Sequence, residues 1–70
     1  MRVLWDFPDP QNAWQSVTHE TAVPREGEAV VEGVEGEEEF YRVRHVIWYP
    51  FGDEQNRYVQ VILRREETLS

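Results

Sequence analysis

The chain has no cysteine and no lysine, only two histidines and two serines. It has no charge-free run approaching the roughly eighteen apolar residues of a membrane-spanning helix. Each absence excludes something. Without cysteine there is no disulfide framework and no thiolate metal cage, the staples by which chains this short gain stability beyond roughly 3 to 5 kcal/mol. With His19 and His45 alone, and no Asp-rich loop spaced as an oxygen cage, no metal site is expected. Serines only at Ser16 and Ser70 compose no nucleophilic triad, and the four glycines form no phosphate-cradling loop. Carboxylate pairs need a cleft, which so short a chain seldom builds. No catalytic residue and no cofactor is therefore expected. The N-terminus lacks the apolar core of a secretory signal, so the chain reads as cytoplasmic and away from membranes.

What is present fits one small domain, residues 1–70, because a chain of 70 residues buries only about 60% of its unfolded surface and has room for one core. A hydrophobic share of 40% sets it apart from disordered acidic tails. Arg2 to Phe7 is β-branched and aromatic before Pro8 stops it, which predicts a strand. Asp9-Pro10 suits the start of one helical turn through Ala13. Trp14 to Val23 favours an extended strand ended by Pro24, and Pro24 to Gly27 a turn. Glu28 to Glu32 continues as a strand, and Gly33 and Gly36 bracket a second turn.

The longest β segment, Glu39 to Tyr49, changes parity midway. Tyr41 and Val43 share one face, yet Val46 and Trp48 join it only if a β-bulge sits near Arg44 and His45. The loop 50–56 then closes a hairpin onto Arg57 to Arg65. With Tyr49 opposite Tyr58, the register puts Trp48 against Val59, Val46 against Val61 and, past the bulge, Val43 against Leu63. Arg42 then meets Arg64, a repulsive pair unless acid from the Glu28 to Glu32 strand relieves it. Five short strands with a bulged long one predict an all-β fold, a small five-stranded open barrel or roll of the SH3-like kind with a C-terminal β-hairpin.

Three features bear on function. Seven of the eleven glutamates lie within residues 26–39, which hold no basic residue, so the whole formal net charge of -7 belongs to one strand and its turns. Glu32, Glu35, Glu37, Glu38 and Glu39 are then either a solvated loop, a docking surface for a basic protein partner, or a poor imitation of a nucleic-acid backbone. Five of the seven arginines, Arg42, Arg44, Arg57, Arg64 and Arg65, sit on the C-terminal hairpin beside Tyr49 and Tyr58. Such a face could bind single-stranded nucleic acid, although internal pairing with the glutamates explains both clusters and the net charge disfavours phosphate. Most of the nine aromatics are expected in the core. The surplus on the outer hairpin face, Ile47, Tyr49, Tyr58 and Ile62, is covered either by Trp5, Phe7 and Trp14 or by another chain, a second copy included.

The runs Val-Pro-Arg-Glu-Gly-Glu-Ala-Val at 23–30, Tyr-Arg-Val-Arg-His-Val-Ile-Trp at 41–48 and Val-Gln-Val-Ile-Leu at 59–63 resemble a pattern of short phage and bacterial small-barrel proteins. In these a P-x-x-G-E-x-V turn precedes Y-x-V-x-x-V-x-W and a closing V-x-V-x-L strand. The chain departs from that pattern by its Glu-rich insertion between Val31 and Glu39. The resemblance implies the same fold and a phage-type accessory or host-interacting role, which puts the chain in the cytoplasm of the host cell. The expected function is a non-catalytic protein-interaction module with an acidic docking hairpin. The alternatives are a single-stranded nucleic-acid binder and a structural subunit of a homo-oligomer.

Overall fold

A computed structural model describes residues 1–8 and 12–67. Five strands form one sheet: β1 (Arg2–Phe7), β2 (Trp14–His19), β3 (Ala29–Glu32), β4 (Glu39–Tyr49) and β5 (Tyr58–Glu66), in the order β2-β1-β5-β4-β3. β3, β4 and β5 form an antiparallel meander, and β1 and β2 form a hairpin. The two units join where β1 lies parallel to β5, Val3 beside Val59 and Trp5 beside Val61. The sheet curls into a half-barrel, the small open barrel expected of an all-β chain with a bulged long strand.

The curl follows from the β4–β5 ladder. Every expected pair from Tyr49–Tyr58 to Arg42–Arg64 is present, and the register shifts between Val43 and His45. The extra residue, Arg44, lets Tyr41, Val43 and Val46 turn to one face, where Val59, Val61 and Leu63 meet them. Val3 and Phe7 complete the buried set, with Trp5, Val23 and Val30 packed against it. Among the described residues no polar or charged side chain is buried.

Several expectations change. Only Phe7 and Tyr41 among the aromatics are buried, because the core of a half-open barrel is thin and mostly aliphatic. β2 stops at His19, not Val23, because its partner β1 runs out: Glu20 N donates to Met1 O at 2.8 Å, and Val23 turns back onto the core. The N-terminal hairpin does not cover the outer face of β4 and β5. It extends the sheet alongside β5, with Trp5 and Phe7 on the core side. The helical turn expected from Asp9 falls largely outside the described residues. A 3-10 turn over Glu54–Asn56 closes the β4–β5 loop. No helix among the described residues is long and apolar enough to cross a membrane.

Candidate interaction surfaces

The acidic residues gather on the β3–β4 hairpin because its turn is built from glycine. Glu37 N donates to Val34 O at 2.9 Å, closing the turn around Gly36 at φ +91°. Gly33 has φ +107°, and a Cβ there would lie 2.7 Å from the Glu37 carbonyl oxygen, so only glycine fits. Glu35, Glu37 and Glu38 are exposed on this turn and Glu32 is half-buried at its base. Glu38 accepts from the Gly36 amide. Glu39 stands apart, since Arg65 donates to its carboxylate. Among the described residues no salt bridge engages Glu32, Glu35, Glu37 or Glu38. Val34, at 67% exposure, and Val31, at 50%, flank them.

The arginines are largely occupied at home. Glu66, two register positions from the Arg42–Arg64 pair and on the same face, accepts from Arg42 Nε with both carboxylate oxygens at 2.9 Å and from Arg64 Nη2 at 3.3 Å. The relieving acid thus comes from β5 itself. The β3 residue opposite Arg42 is Ala29, and what that side supplies is a carbonyl, Gly27 O, which accepts from Arg42 Nη1 at 2.9 Å. Arg57 Nε donates to Gly52 O at 2.9 Å, and Arg44 is exposed at the bulge.

On the outer face, Tyr49 and Tyr58 stack with ring centroids 4.5 Å apart, and the Arg2 guanidinium lies 5.9 Å from the Tyr58 ring centre. Beside them runs a chain of polar contacts across four strands. Gln15 and Gln60 each donate to one oxygen of Asp6, and Tyr49 Oη donates to Gln60 Oε1 at 3.3 Å. Ile47 sits opposite Gln60, and Ile62 opposite His45. Sequence reasoning missed this chain. Its signal was the lone acid in the apolar run of β1, which faces outward with Leu4.

The opposite end of β4 from the acidic turn carries a groove of about 550 Å³ bordered by Met1, His19, Trp48, Tyr49, Arg57 and Tyr58. Phe51, beyond it, is 87% exposed. His45 Nδ1 lies 3.7 Å from Glu26, and the described residues hold no group of three or more potential ligands for a metal. Set against family models, curated proteins and solved structures, the chain matches none of them.

Proposed function

We propose that the chain is a non-catalytic protein-interaction module that docks a basic partner through the β3–β4 hairpin. One observation carries this reading: Arg42, Arg64 and Arg65 are engaged by Glu66 and Glu39, while among the described residues Glu32, Glu35, Glu37 and Glu38 have no salt bridge and lie beside exposed Val34. A concentrated, uncompensated negative field steers and selects positively charged partners, and an apolar residue within it gives the docked complex something to bury. The same pairing weakens the nucleic-acid alternative, since it takes Arg42, Arg64 and Arg65 from the hairpin cations that a phosphate backbone would need and leaves Arg44 and Arg57. Glu39, tied to Arg65, anchors the base of the hairpin. A phage-type accessory acting on a protein of its host cytoplasm is the setting this chemistry suits.

The test uses the tagged chain as bait and the triple variant Glu35→Gln, Glu37→Gln, Glu38→Gln as control. Captured proteins are identified by mass spectrometry, and the strongest basic candidate is titrated calorimetrically as a purified protein. Tenfold or greater weakening in the variant, with affinity falling as salt rises, is the expected result. Equal affinity for both forms would dismiss the hairpin as the docking surface.

A further inference from the structure

We infer that the outer edge of β2 pairs with β2 of a second copy, joining two sheets antiparallel about a two-fold axis at Val17. This goes beyond docking through the acidic hairpin and uses the opposite edge of the sheet. The bond from Glu20 N to Met1 O marks Met1 and Glu20 as a hydrogen-bonded pair. Antiparallel ladders alternate, so Val3–Thr18, Trp5–Ser16 and Phe7–Trp14 are bonded as well. The amides and carbonyls of Gln15, Val17 and His19 therefore point away from β1, and among the described residues none of them has another partner. A groove of about 360 Å³, between Ser16, Thr18 and Glu20 on one side and Val30 and Glu32 on the other, keeps β3 from covering this edge.

Natural sheets guard such edges with charge, proline or bulges. β2 has none of these: residues 13–19 hold no charged residue and no proline, and Val17 is 56% exposed. The edge is also self-complementary. With Val17 opposite Val17 of the second copy, Gln15 faces His19, an amide facing an imidazole, and Ser16 faces Thr18, hydroxyl to hydroxyl. Three such pairs give six backbone hydrogen bonds, and both copies contribute the same patch, as a two-fold interface requires.

The experiment measures molar mass by light scattering over a wide concentration range at low and high salt. Beside it runs residue-resolved amide exchange of the full chain. A mass that rises from 8.4 kDa to twice that value, and rises more readily at high salt because each copy carries -7, is expected. In the dimer the amides of Gln15, Val17 and His19 become protected, whereas Ser16 and Thr18 are protected at every concentration. Val17→Pro removes only an outward amide, so it should keep the β1–β2 ladder and remain monomeric. A wild-type chain that stays monomeric throughout would overturn the proposal, whatever the variant does. A dimer in which the three outward amides still exchange freely would overturn it too.

Discussion

Single positions of this chain differ sharply in what they tolerate, and the two glycines of the acidic turn show why. Gly36 and Gly33 both have positive φ, but a Cβ at Gly36 meets nothing within 4 Å, while one at Gly33 strikes the Glu37 carbonyl. Gly36→Ala therefore carries the conformational penalty alone, and Gly33→Ala adds a backbone clash. Gly33→Ala should lower stability by roughly 1 to 3 kcal/mol, and more than Gly36→Ala, in urea unfolding followed by tryptophan fluorescence. Equal losses at the two sites would mean that the turn reshapes freely and that the close approach at Gly33 is unimportant. Phe51 illustrates the opposite case, an aromatic whose exposure leaves little for folding to lose.

Between elements, the strongest local dependence lies where β4 meets β5. Arg42 and Arg64 stand opposite each other, and Glu66 pairs with both. Removing its charge should leave two cations facing across the ladder and cost roughly 1 to 3 kcal/mol, the range of a charge-assisted hydrogen bond. Glu66→Gln is thus expected to unfold at lower urea than the wild type, with the gap narrowing as salt rises, while Glu67→Gln stays within about 0.5 kcal/mol. If both substitutions behave alike, the pairing with Arg42 contributes nothing. The register of this hairpin was legible beforehand because period-two alternation, broken once at Arg44, admits a single alignment of Val43, Val46 and Trp48 with Leu63, Val61 and Val59. The bounds of β1 and β4 were legible for similar reasons, Pro8 and Pro50 closing apolar runs. The parallel meeting of β1 with β5 was not, since no local pattern says which strand from the far end of the chain will lie alongside. The partner of Arg42 was missed on the same account. A hydrogen bond to a residue two positions off the opposed pair depends on side-chain reach, and the strand pattern carries no record of that. Of the acidic surface, the sequence showed where the charge lies but could not separate Glu39, tied to Arg65, from Glu35 and Glu37, which are not.

As a whole, the molecule is elongated, 39 Å by 23 Å by 21 Å, and its longest strand is the eleven-residue β4. Its two ends differ in chemistry, a glutamate-rich turn at one and an aromatic groove with Arg57 and His19 at the other. Crowding seven glutamates into residues 26–39 strains the folded state by self-repulsion, which mobile ions relieve. The melting temperature, taken on dilute protein so that association does not contribute, should therefore rise from low to physiological ionic strength. A fall would show that the ion pairs at Glu66 and Glu39 outweigh the repulsion. The polar chain from Gln15 through Asp6 and Gln60 to Tyr49 reaches across β2, β1, β5 and β4, and so works as a parity check on the assembled sheet. A one-residue slip of β1 would send Asp6 inward against Val61 and break links on both sides at once. Misaligned sheets are rejected by a single carboxylate, which gives an otherwise thin aliphatic core one preferred solution.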